Sequence, residues 1–223
     1  MNNNKMKVLE LFGGSRSFSK VAEEFGHKTY STDYKRFQGI DQVCDIRNFN
    51  VEKMLAKFGS PEIIWASPPC TYFSVASIGH HWNKDNTPKT ENAKLGIEIV
   101  KHTLWLIKLL EPKYFYIENP RGKLRKLDVI TNENFIRNTI TYCSYNENRM
   151  KPTDIWTNDY NWIPRKMCFN GNRDCHHQPA PRGSQTGTQG LKGNYERSKV
   201  PSELCREILK GINQKESKSK TQI

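Results

Sequence analysis

Lys7-Val8-Leu9-Glu10-Leu11-Phe12-Gly13-Gly14-Ser15 reads as a short apolar strand that runs into a Gly-containing turn. Helix and strand signals alternate beyond it. Ser17 to Phe25 places Phe18, Val21, Ala22 and Phe25 on one helical face, and Thr29 to Asp33 is a second strand. Gln42 to Ile46 is a short third strand, Val51 to Phe58 a helix, and Glu62 to Ala66 a buried strand that stops at Ser67-Pro68-Pro69. Glu91 to Leu110 carries Leu95, Ile99, Val100, Leu104, Ile107 and Leu110 at helical spacing, with Pro112 closing it. Tyr114 to Ile117 is another strand, followed by Pro120, and Asn138 to Ser144 and Asp154 to Thr157 read as two more. The alternation predicts a doubly wound, Rossmann-like α/β sheet.

Such sheets bind ligands beyond the carboxyl ends of their strands. The three most unusual segments fall at those ends: Phe12 to Ser15, Ser67 to Cys70, and Glu118 to Pro120. From Asp159 the periodicity breaks, and residues 159–195 are rich in Asn, Gly, Pro, Arg and His. Long irregular stretches in compact domains commonly carry function. Pro201 to Ile212 then reads as a closing helix with Leu204, Cys205, Ile208 and Leu209 facing in. The expected organisation is a catalytic domain over 1–158, a small basic insert over 159–195, a closing segment over 196–212, and a disordered tail over 213–223.

Composition narrows the class. A chain of 223 residues is long enough for one domain with a real core. Lys and Arg outnumber Asp and Glu by 35 to 23, a formal charge of +12, which favours a polyanionic partner through phosphate contacts. The six cysteines lack the spacing of a disulfide scaffold. No apolar run approaches the ~18 residues of a membrane span, so no membrane partner and a reducing, cytoplasmic setting are expected.

Taken together and in order, the Gly-rich turn, Ser67-Pro68-Pro69-Cys70 and Glu118-Asn119-Pro120 resemble the DNA cytosine-5 methyltransferase family, especially its short, phage-like members. The likeness spans roughly residues 7–157 and returns weakly at 194–212. It implies a mostly parallel sheet with an antiparallel last strand, S-adenosylmethionine as methyl donor, and double-stranded DNA with a flipped target base as substrate, acted on by a monomer. RNA is the alternative polymer, and the bacterial or phage-infected cell the expected setting, with restriction–modification as a context.

On that resemblance, Phe12, Gly13, Gly14 and Ser15 form the cofactor turn, with Phe12 against the adenine. Arg16 stands where a second glycine is common. Asp33 would hold the ribose hydroxyls, Asp45 the adenine amino group, and Pro69 and Val200 would complete the cofactor side, the latter within Ser198-Lys199-Val200-Pro201. Cys70 is the expected nucleophile: a thiolate adding at carbon 6 of cytosine turns carbon 5 into an enamine carbon that can accept a methyl group. The family usually has Pro-Cys-Gln here, whereas this chain has Pro-Cys-Thr. Glu118 is the expected acid toward N3 and the exocyclic amine; proline follows Asn119 where valine is commonest. Arg149 and Lys151, with Thr153, occupy the approximate place of a Gln-Arg-x-Arg motif and would support the cytosine O2 and a phosphate.

His80, His81, Trp82, Lys84 and Lys89 fit either a lid that stacks on the base and meets phosphate, or a solvated loop with one anchoring aromatic. The insert's Arg165, Lys166, Arg173, Arg182 and Lys192, and the stretch Arg182 to Gly190, suit contacts to phosphates and bases. Cys168, Cys175, His176 and His177 are candidate zinc ligands, but the paired Cys-x-x-Cys spacing is missing and no metal is assigned. Two other functions compete: an amino methyltransferase acting on cytosine N4 or adenine N6, which also uses Pro-Pro at this strand end, and a catalytically inactive DNA-binding relative.

Overall fold

The computed structural model describes residues 5–178, 191 and 193–221. Its elements run β1 (Lys7–Leu11), α1 (Ser17–Glu24), β2 (Lys28–Asp33), β3 (Gln42–Val43), α2 (Val51–Phe58), β4 (Ile63–Ala66), α3 (Ile78–His81), α4 (Glu91–Leu110), β5 (Tyr114–Pro120), α5 (Asp128–Thr131), β6 (Ile136–Thr141), β7 (Pro152–Thr157), α6 (Asn194–Ser198) and α7 (Ser202–Thr221). Seven strands form one sheet in the order β3-β2-β1-β4-β5-β7-β6. β1 pairs in parallel with β2 and β4, and β4 with β5, while β7 is antiparallel to both β5 and β6. This is the predicted doubly wound sheet, with the chain direction reversed in β7. The strand order switches at β1 and β4, which opens a crevice between the turns that follow them.

Both sheet faces are covered because neighbouring residues along each strand point to opposite sides. Leu9, Leu11, Ile64, Ala66, Phe115 and Ile117 pack with Met54, Val100, Leu104, Ile107 and Ile130 of α2, α4 and α5. Val8, Ile63, Trp65, Tyr116 and Ile155 pack with Phe18, Val21 and Ala22 of α1 and Leu204, Ile208, Leu209 and Ile212 of α7. Each large apolar side chain so buried adds about 1.5–3 kcal/mol of transfer free energy.

Local chemistry sets the helix ends. Thr90 accepts from the Ala93 N–H at the start of α4, and Asn50 accepts from Lys53 at the start of α2. α1 has no such cap of its own, since Arg16 precedes it in the left-handed region at φ 53°. The buried Glu10 carboxylate of β1 supplies it instead, accepting from the Phe18 N–H at 3.2 Å and the Ser19 N–H at 2.7 Å. Strand and helix are thereby locked together, and desolvation pushes the Glu10 pKa up against these hydrogen bonds.

Several boundaries differ from the sequence expectation: β3 stops at Val43, β6 runs Ile136–Thr141, and β7 starts at Pro152. β5 continues through Pro120, because Glu118, Asn119 and Pro120 stay paired with Ile155, Asp154 and Thr153. The closing segment is two helices, with a non-helical Lys199-Val200-Pro201 between α6 and α7. The tail expected to be disordered from residue 213 is helical to Thr221: Lys215 pairs with the buried Asp159, and Glu216 meets Lys113 and the Tyr114 hydroxyl. Residues just after β7 are held by the same helix, with Arg165 paired to Glu207 at 2.8 Å and Trp162 Nε1 donating to the same carboxylate at 3.4 Å, while the Trp162 ring packs edge-on against Tyr116 of β5.

Candidate active site

The turn after β1 is tight. Phe12 is left-handed at φ 62°, and the Gly13 N–H donates to the Thr32 carbonyl at 2.8 Å. A Cβ at Gly14 would lie 3.0 Å from the Phe37 ring and 3.2 Å from the Asp33 carboxylate, so only glycine lets the turn approach that acid without displacement. Asp33 is buried at the carboxyl end of β2, accepts from the Lys35 N–H at 2.9 Å, and has its pKa raised by desolvation. Val200 sits on the other side of the turn, its N–H donating to Ser17 Oγ at 3.1 Å, while Ser15 and Ser17 hydroxyls are 2.7 Å apart. Asp45 lies at the surface end of this row. Its carboxylate caps the 3-10 turn Ile46–Asn48 and grips the Arg47 guanidinium at 2.7 Å, which lowers its pKa.

Ser67-Pro68-Pro69 carries the chain from β4 to Cys70, which begins a 3-10 turn over Cys70–Tyr72. The Cys70 carbonyl accepts from the N–H groups of Phe73 and Ser74. Asn119 in β5 reaches across, its Nδ2 donating to the Pro68 carbonyl at 2.9 Å, so the turn is bolted to the neighbouring strand. Beneath it, Trp82 is buried, stacks on Phe73 and donates from Nε1 to the Tyr72 carbonyl at 2.7 Å. The lid reading of His80–Trp82 is corrected on this point. Trp82 props the Cys70 turn from below, and the buried His81 ring is hydrogen-bonded to Thr90, leaving His80 as the exposed ring of the pair.

Glu118 is buried in β5 one residue before Asn119. The Tyr142 hydroxyl donates to its Oε1 at 2.8 Å, and Lys151 Nζ stands 3.7 Å from the same oxygen. Lys151 also lies 4.5 Å from the centre of the Tyr142 ring. Cys70 is half-buried within electrostatic reach of both groups: burial pushes the thiol pKa up, Lys151 opposes that rise, and Glu118 adds to it. The site therefore holds a nucleophilic sulfur, a carboxyl group with a hydroxyl donor, and an ammonium group, all at the carboxyl ends of β4 and β5.

Arg149 is used differently from expectation. It is buried and stacked on Tyr142, with Nε on Glu147 at 2.8 Å and its two terminal nitrogens on the carbonyls of Arg197 and Lys199 at 3.2 and 3.1 Å. Its two terminal nitrogens thereby bring the returning segment of α6 and Val200 against the site. Three contributors carried no sequence signal of their own. Tyr142 reads as an ordinary strand residue, and Glu10 as a strand residue beside a turn. Gly122 matters because a Cβ there would fall 2.2 Å from the Phe73 carbonyl oxygen.

At the far end of β6, Cys143, Cys168, Cys175 and His177 converge, whereas His176 turns away and bonds the Glu147 carbonyl at 3.1 Å. The stretch Arg182 to Gly190 and Lys192 lie outside the described residues.

The chain is 27% identical to the "Probable DNA (cytosine-5)-methyltransferase" of Frog virus 3 (isolate Goorha), over 92% of this chain and 99% of that one. Its fold is shared with the Entamoeba histolytica methyltransferase EhMeth, at a TM-score of 0.52 and 14% identity over 74% of this chain and 57% of that one. It is shared also with the DNA modification methyltransferase assigned to an E. coli prophage, at 0.51 and 14% over 74% and 53%. This chain thus spans little more than half the length of those two structures. The profile of C-5 cytosine-specific DNA methylases matches residues 7–146, and the chain belongs to that family.

Proposed function

We propose that the protein transfers a methyl group from S-adenosylmethionine to carbon 5 of cytosine in double-stranded DNA, through a covalent adduct on Cys70. The observation that carries this reading is Cys70, after β4, within electrostatic reach of a buried Glu118 that already holds a hydroxyl donor, the two strand ends joined by the Asn119–Pro68 hydrogen bond. The cofactor fits the turn after β1: Gly14 leaves a cradle that a Cβ would fill, and the desolvated Asp33 carboxylate lies at the end of β2, ready for ribose hydroxyls. When bound there, the cofactor supplies an electrophilic methyl group. Phe12, Gly13, Ser15, Pro69 and Val200 would complete the cofactor side, as the family resemblance implies. Asp45 reaches an adenine amino group only by sharing the carboxylate that Arg47 now holds.

In the reaction, the Cys70 thiol loses its proton and its sulfur bonds to carbon 6 of the extruded cytosine. The ring electrons move to carbon 5, with a proton from Glu118 placed on N3. Tyr142 and Lys151 hold the Glu118 oxygen in position for that transfer. Carbon 5 would take the methyl group that the cofactor supplies and then lose its hydrogen as a proton to solvent, N3 would return its proton to Glu118, and the sulfur–carbon 6 bond would break with its electron pair on the Cys70 sulfur, which regains a proton from solvent. The basic insert over 159–195 is the surface that reads the DNA, in keeping with the +12 charge.

DNA carrying 5-fluorocytosine tests the proposal, because fluorine on carbon 5 blocks the final proton loss. With S-adenosylmethionine present, the protein should form a denaturant-stable adduct mapping to Cys70, absent from Cys70→Ala. Methyl transfer without any adduct, or by the alanine variant, would overturn the covalent mechanism and favour amino transfer.

A further inference from the structure

Cys143, Cys168, Cys175 and His177 each offer one ligand atom, and the four atoms all lie within 4.8 Å of one another. The Cys168 sulfur is 3.7 Å from His177 Nδ1. Around a tetrahedral zinc ion, with bonds of about 2.3 Å to sulfur and about 2.0 Å to nitrogen, ligand atoms stand roughly 3.5–3.8 Å apart. Closing the widest pair from 4.8 Å asks each atom to move inward by about 0.5 Å. Three thiols and an imidazole, all in reduced form, are a soft donor set that suits zinc rather than a hard cation.

The surroundings support the same reading. Cys143 lies in the 3-10 turn Tyr142–Tyr145 that ends β6, and the other three come from the irregular chain after β7. Asn172 Nδ2 donates to the Cys168 sulfur at 3.4 Å, and Thr141 Oγ1 accepts from the Cys168 N–H at 2.9 Å, so the first thiol of that chain is oriented from both sides. Apolar burial does little for the segment beyond Trp162: Ile163 and Phe169 are 86% and 66% exposed, and its described residues have no strand pairing. A metal at this point supplies what apolar burial does not.

We infer that Cys143, Cys168, Cys175 and His177 bind one zinc ion, which clamps the first half of the basic insert onto the sheet edge directly beside Tyr142. The site is structural, since all four tetrahedral positions are filled by protein. It stands independently of the proposed reaction.

Metal content decides it. The full chain, purified with thiols kept reduced and no chelator, should carry close to one zinc per chain by mass spectrometry of the elements. Replacement by cobalt should give the intense visible bands of a tetrahedral site with thiolate ligands. Cys168→Ser, Cys175→Ser and His177→Ala should each lose most of the metal, while His176→Ala and Cys70→Ala keep it. Should a variant fail to fold, the zinc content and cobalt spectrum of the unaltered chain still give the answer. Folded, reduced protein that takes up less than a tenth of an equivalent from added zinc would overturn the inference. So would a disulfide linking two of the three cysteines in protein purified from a reducing cell.

Discussion

The Tyr142 hydroxyl donates a 2.8 Å hydrogen bond to Glu118, joining the turn that ends β6 to the middle of the site across the intervening β7. The contact is fully buried, and carboxylate and hydroxyl are each other's nearest polar partner there. Burial and the adjacent carboxylate both push the tyrosine pKa up, so the hydroxyl stays a donor at every working pH. Leaving a buried hydrogen-bonding group without its partner costs about 1–3 kcal/mol. Tyr142→Phe should therefore lower kcat for methyl transfer by roughly ten- to a hundredfold while leaving S-adenosylmethionine affinity, measured by calorimetry, unchanged. An equal loss in both would assign the hydroxyl to folding alone.

Cys70 should be a slow thiol in the free protein. Burial raises its pKa, Lys151 counters this, and Glu118 reinforces it. Alkylation of Cys70 by iodoacetamide, followed peptide by peptide, should show a midpoint above the ~8.5 of an unperturbed thiol. Lys151→Met should move that midpoint further up and Glu118→Gln should move it down. A midpoint below the ordinary value would mean the thiolate is already formed before the base arrives.

Gly122→Ala should damage activity from a distance. The added methyl would meet the Phe73 carbonyl, which also accepts the Lys123 N–H at 2.7 Å. Overpacking of this kind destabilises by about 1–3 kcal/mol, and the strain falls on the turn that carries Cys70. A lowered Tm with reduced adduct formation on 5-fluorocytosine DNA is expected; an unaltered Tm would show that the turn relaxes freely.

Glu10 makes stability pH-dependent. Its folded-state pKa is raised, so the protonated form is favoured in the native protein. Its contribution is complete below the unfolded carboxylate value of ~4.3 and declines as pH rises through the higher folded value. Glu10→Gln removes that slope. Urea midpoints should therefore show the variant gaining on the natural protein as pH rises above the unfolded carboxylate value of ~4.3, on the order of tenths of a molar in urea. A constant difference across that range would place the buried carboxyl in the same state throughout.

The fold was legible because its strands end in chemically loud residues: Gly13-Gly14, Pro68-Pro69 and Pro120 punctuate apolar runs, and Glu91 to Leu110 has one unbroken helical period. The candidate residues Cys70 and Glu118 were visible for the same reason, each at such an end. What stayed hidden depends on partners distant in the chain. Tyr142 matters only because β7 inserts between β5 and β6, a reversal no local period encodes. Arg149 carries the right charge at the expected place, yet burial beneath the returning segment turns its donors to the Arg197 and Lys199 carbonyls. Cys143 joins the other thiols only through the sheet. The helix beyond Ile212 is polar in sequence and is fixed by Lys215 and Glu216 reaching Asp159 and Lys113, far earlier in the chain.

The Asn119–Pro68 link has a mechanical consequence. Because one amide ties the two strand ends, sulfur and acid move as a single rigid jaw, and thermal motion cannot widen the gap between them without rupturing that tie. If the basic insert reads the DNA as proposed, target choice can be retuned there without touching the spacing of the two strand ends. Re-engineering for a new DNA sequence should begin there and leave the jaw alone.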